Sequence, residues 1–157
     1  MAILNLHPPY LRYVLCNVQR LEKNLDYILD WYAPEMIAQL TYGKSVRLDE
    51  VEESFSNIST LIDNTEHPLM HVLLDLSNVE EHPLSLGDLS NAAGNTLYKR
   101  GMGWLLTYGA EKKSVQYVMG MLATIADARF RHFSTEEDAL LFLKQMDRNI
   151  PEDALGV

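Results

Sequence analysis

Chemistry at neutral pH needs imidazoles, carboxylates, hydroxyls or amines gathered in one place, and this chain of 157 residues offers a few short constellations of them. Ser77-Asn78 stands just ahead of Glu80-Glu81-His82. A carboxylate beside a histidine can pass a proton or hold a metal; the plainer alternative is an exposed acidic loop. Tyr108 precedes Lys112 by four residues, a phenol–amine spacing that some dehydrogenases use. No Gly-x-Gly-x-x-Gly follows any strand-like run to bind their cofactor, so the spacing is read as chance. Ser85 opens a Ser-x-x-Asp pattern with Asp88. Its hydroxyl could meet an anion at a helix N-terminus or be phosphorylated; the plainer reading is a helix cap, with Asp88 at the positive end of the dipole.

The five histidines are His7, His67, His71, His82 and His132. His67 and His71 have the spacing of helical zinc ligands, but Pro68 and the strand-like run that follows keep the two rings from facing one way, and no Glu follows His67. His71 is expected to be a hydrogen-bonded core residue. Cys16 is the only cysteine, so neither an intrachain disulfide nor a multi-cysteine zinc site can form. Neither Gly-x-Ser-x-Gly nor a phosphate-binding Gly-x-x-x-x-Gly-Lys loop occurs. No metal, cofactor or catalytic group is expected from these motifs.

The net charge of −9 opposes binding to nucleic acid or to anionic membrane, both of which need a positive field. The N-terminus lacks the basic and apolar regions of a secretion signal. No run approaches the ~20 apolar residues that would span a bilayer. A soluble, cytoplasmic protein is expected.

The elements that must position these residues can be read from periodicity. Residues 1–25 form an extension in which Leu11, Val14, Leu15, Val18, Leu21 and Leu25 recur at helical steps, giving a helix over about residues 10–24, although Arg12 to Val18 would also pass as a strand. A hairpin follows, Tyr27 to Tyr32 and Met36 to Tyr42, broken by Ala33-Pro34-Glu35. Leu48, Val51, Phe55, Ile58 and Ile62 then make one apolar stripe, with Glu50, Glu52, Glu53 and Asn57 on the opposite side. Strands from Met70, Gly103 and Arg129 alternate with helices over about 86–98, 114–126 and from Ser134, where Ser-Thr-Glu-Glu137 reads as a capping box. Pro151 ends the last helix, leaving residues 149–157 as a loose tail. Strands alternating with helices imply an α/β fold, and the hairpin makes the sheet mixed.

The helix over 114–126 is apolar on almost every side. Val115, Val118, Met119 and Leu122 are candidates for a subunit interface or an apolar pocket, and the plainer reading is a central core helix.

From Asp26 to Met146 the chain resembles the STAS, or SpoIIAA-like, superfamily. The likeness rests on the hairpin Tyr27-Ile-Leu-Asp-Trp31 with Ala38-Gln-Leu-Thr-Tyr-Gly43, on His71-Val-Leu-Leu-Asp-Leu-Ser77, on Trp104-Leu-Leu-Thr-Tyr108 and on Arg131-His-Phe-Ser-Thr-Glu-Glu-Asp-Ala139. It implies a domain over residues 26–148 with helices mainly on one face of a mixed sheet. The functions it implies range from antagonism of anti-sigma factors to lipid carriage in the SEC14-like branch. The antagonists carry an Asp-Ser-Ser/Thr-Gly phospho-switch. Here Pro83-Leu-Ser85-Leu86-Gly87 occupies that place, with Leu86 at the acceptor position and the aspartate missing. The expectation is a non-catalytic regulatory or protein-interaction module, working as a homodimer. A carrier or sensor of an apolar molecule or lipid is the alternative, and an enzyme using the strand-end cluster around His82 and Tyr108 the weaker one.

Overall fold

The computed structural model describes residues 24–82 and 85–157. The helix read over residues 10–24, like nearly all of the 1–25 extension, lies outside the described residues. A hairpin of β1 (Tyr27–Ala33) and β2 (Ile37–Tyr42) leads into α1 (Leu48–Asn64), β3 (Met70–Asp75) and α2 (Leu86–Leu97). Then come β4 (Met102–Tyr108), α3 (Lys113–Ile125), β5 (Arg129–Phe133), α4 (Glu136–Met146) and a short α5 (Glu152–Leu155). The five strands lie side by side in chain order, β1-β2-β3-β4-β5. The β1–β2 pair is antiparallel and the other three pairs are parallel, so the fold is α/β with a mixed sheet.

Side-chain alternation assigns the two faces. Val72, Leu74 and Leu105 point into one core with Val51, Phe55, Leu89 and Leu122 of the helices. Leu73, Leu106 and Tyr108 point into the other, with Leu140 and Leu143 of α4 and Leu155 of α5. Adding parallel strands in one direction through right-handed crossovers keeps every crossover helix on the same side. Hence α1, α2 and α3 share one face, while α4, which makes no crossover, covers the other. Each fully buried leucine here contributes about 1.5–3 kcal/mol.

Two residues of α1 depart from the amphipathic reading. Glu50 and Asn57, expected on the outer side, are buried at 1% and 9% exposure. The Glu50 carboxylate accepts the backbone N–H of Asp26 at 2.7 Å and of Arg47 at 3.0 Å, fastening the entry of the hairpin to the start of the helix. Asn57 donates to the Tyr27 hydroxyl at 3.0 Å. Each is buried because it satisfies a polar group that the sheet edge brings against the helix.

The caps divide in the same way. Ser85 caps α2 as read: its Oγ accepts the Asp88 N–H at 3.1 Å. At α4 the cap falls one residue later than expected. Thr135, not Ser134, accepts the Asp138 N–H at 3.2 Å, because Thr-x-x-Asp offers the same chemistry as Ser-x-x-Glu. The tail is packed rather than loose. Ile150 and Leu155 are buried, and the Tyr32 hydroxyl donates to the Leu155 carbonyl at 2.6 Å.

Candidate functional site

The carboxyl ends of β3, β4 and β5 release their chains into neighbouring loops, the place where open α/β sheets hold ligands. Between these loops lies an open polar depression of about 520 Å³, lined by Ser77, Gly109, Glu111, Gln116, His132 and Ser134. Gly109 has φ +76°, and a Cβ there would come within 2.1 Å of the Ser77 Oγ, so both the backbone and the space demand glycine. Gln116, in the first turns of α3, donates through Nε2 to the Ala110 carbonyl at 2.8 Å and fixes the helix to this wall. The His132 ring is held from inside the sheet by Thr107 on the adjacent strand, Oγ1 to Nδ1 at 2.7 Å. Burial holds the His132 pKa below the ordinary histidine value.

Of the strand-end residues that the sequence offers, Ser77 and Glu111 line this depression. Asn78 is exposed beside it. Tyr108 turns to the other face of the sheet, where its hydroxyl accepts from Gln39 Nε2 at 2.8 Å and donates to Glu136 Oε1 at 3.2 Å. Burial raises its pKa. Lys112, the residue before α3, donates its ammonium to the Glu80 carbonyl, so the Tyr108–Lys112 spacing does not bring the two groups together. His82 approaches Ser114 at 3.4 Å on the helix side, opposite to Tyr108. The Ser85 hydroxyl is engaged with Asp88 on both counts, accepting its N–H and donating to its carboxylate at 2.8 Å. Among the described residues, no three His, Cys, Asp or Glu side chains converge as a metal's ligands would.

His132 was not among the sequence candidates. Its signal lay in the alternation of Arg129-Phe-Arg-His-Phe133, which puts His132 with Phe130 on the face covered by α1, α2 and α3, at the carboxyl end of its strand. Thr107, its anchor, is 25 residues away and carried no signal.

The second candidate region is α3. Its inner side holds Val115, Met119 and Leu122, all buried, with Val118 half buried. Together they line an apolar cavity of about 50 Å³ between the helices and β3. The outer side is also apolar. Tyr117, Met121 and Ile125, each one turn apart, are 68%, 36% and 47% exposed. Tyr98, 62% exposed, extends this stripe, its hydroxyl donating to the Ile125 carbonyl at 2.8 Å.

No protein-family model and no curated protein matches the chain. Among the described residues no helix is long and apolar enough to cross a membrane.

Proposed function

We propose that this protein is a non-catalytic interaction module of the STAS type, working as a pair of copies joined through α3. The element order, a hairpin followed by alternating helices and strands, supports the resemblance. The observation that carries the proposal is the exposed stripe Tyr117–Met121–Ile125. In a chain of net charge −9, the run from Ser114 to Ala126 holds no charged residue at all. A second copy can approach there without setting carboxylate against carboxylate.

The stripe is also symmetric about Met121. In a two-fold antiparallel pairing Met121 meets its own mate, and Tyr117 of each copy meets Ile125 of the other, as an isologous interface requires. Gly120 sits beside this axis, and a Cβ built on it has nothing within 4 Å, which leaves the helix backbones free to come close. Light scattering of the purified protein is expected to give twice the monomer mass. Met121→Lys, which puts two ammonium groups on the axis, is expected to return it to a monomer with its circular dichroism unchanged. A wild-type monomer across the accessible concentration range overturns the proposal.

The carrier alternative draws little from α3. Sites for drug-sized ligands occupy ~300–1,000 Å³, and the cavity of about 50 Å³ beneath the helix falls well short of that. The enzyme alternative needs His82 and Tyr108 together, and they face opposite sides of the sheet.

A further inference from the structure

The polar depression differs from α3 in kind, and its chemistry can be narrowed through one hydrogen atom. Thr107 is 0% exposed. Among the described residues its hydroxyl has one partner, His132 Nδ1. A buried hydroxyl proton without an acceptor is costly, so Thr107 is the donor and Nδ1 the acceptor. The proton of the neutral imidazole therefore sits on Nε2. Burial favours that neutral form. Nε2–H has no acceptor among the described residues, and the ring lines the depression.

The groups around it are of mixed character. Ser77 and Ser134 bring hydroxyls that donate and accept, and Glu111 brings a carboxylate that only accepts. The Gln116 amide has its nitrogen engaged with the Ala110 carbonyl, leaving its oxygen as an acceptor. An anion would gain a hydrogen bond from His132 but would meet the charge of Glu111. A hydroxylated ligand has no such conflict, since each of its hydroxyls can accept from His132 and donate to Glu111 or Gln116. The volume of about 520 Å³ lies within the range of small-molecule sites.

We propose that the depression binds a neutral polyhydroxylated small molecule of about monosaccharide size, with one of its oxygens accepting the His132 Nε2–H. This site is separate from the exposed apolar stripe of α3 and does not depend on pairing of the copies.

The test is nuclear magnetic resonance on the full chain, titrated with D-glucose, D-ribose, myo-inositol and glycerol, and separately with sodium phosphate. Long-range ¹H–¹⁵N spectra of the histidine side chains are expected to show His132 as the Nε2–H tautomer. At least one of the four polyols is expected to shift the signals of His132, Ser77 and Glu111 saturably. Thr107→Val removes the group that sets the tautomer, and is expected to weaken that binding about fivefold, the loss of one hydrogen bond. Ser77→Ala, at an exposed position where only the backbone N–H is hydrogen-bonded among the described residues, is the second variant and is also expected to weaken it. An Nδ1–H tautomer, no saturable shift with any polyol, or tighter binding of phosphate than of all four overturns the proposal.

Discussion

Two histidines at opposite ends of the same sheet are built alike on one side and differently on the other. His71, near the start of β3, is 0% exposed. Its Nδ1 accepts the Trp104 backbone N–H at 3.0 Å, and its Nε2–H donates to Asp147 at 2.8 Å. His132, near the end of β5, also has its Nδ1 held from within, but its Nε2 has no partner among the described residues. Both rings are thus fixed in one tautomer from the inside. What differs is closure. Asp147, the residue that ends α4, saturates His71 and also accepts the Asn149 backbone N–H at 2.9 Å, so this imidazole joins β3 to α4 and to the turn after it. The amino-terminal end of the sheet spends its histidine on cohesion, and the carboxyl-terminal end keeps one available.

The sharpest break in this comparison is His71→Ala. It leaves the Trp104 N–H without an acceptor and the buried Asp147 carboxylate without its donor, and opens a cavity. A loss of about 3–5 kcal/mol is expected, read by urea denaturation. Gly103→Ala attacks the same ring from the side, because a Cβ there would lie 2.4 Å from His71 Nδ1. That overpacking is expected to cost about 1–3 kcal/mol in the same assay.

Acid should distinguish the ends more gently. Burial depresses the His71 pKa below its usual 6.5, against the pull of Asp147. The unfolded chain therefore takes up the proton first as pH falls, so this contribution is complete above pH 6.5 and is lost below it. Burial pushes the Asp147 carboxyl up, but the Asn149 backbone N–H and the His71 ring outweigh it and hold it below 3.8. Its contribution is present above pH 3.8 and is lost as pH falls through the folded value. Melting temperature is expected to be flat above neutrality and to decline below pH 6.5. A curve that rises on acidification would refute this account of His71. The smallest effect belongs to the open end: Thr107→Val should cost about 1 kcal/mol, the loss of a single hydrogen bond to a half-buried ring.

This contrast also marks what the sequence could disclose. Short continuous apolar runs such as Met70–Asp75 and the helical stripe of α1 are local patterns, and they place the strands, the helices and the mixed sheet. Ser85 was legible as a cap because its partner is three residues away. Ser77 was legible because the chain leaves a buried strand there. The pairings that decide the two ends are not local. His71 and Asp147 stand 76 residues apart, Gln39 and Glu136 97 apart, and nothing in either stretch announces the other. Glu50 and Asn57 read as solvent-facing because they lie off the apolar stripe of α1; the backbone N–H of Asp26 and the hydroxyl of Tyr27 draw them inward. On α3, an apolar residue on the buried face and one on the exposed face look the same in sequence, so Val115 and Met119 could not be told from Tyr117 and Met121.

Because spatial order follows chain order across β1 to β5, each new strand meets its neighbour already in place at the growing edge. During synthesis none has to wait and be threaded between two earlier ones, so the sheet can be laid down as the chain leaves the ribosome. His132 arrives on the last strand. A chain interrupted before residue 129 has the greater part of the core under α1, α2 and α3, yet it lacks the imidazole that completes the depression.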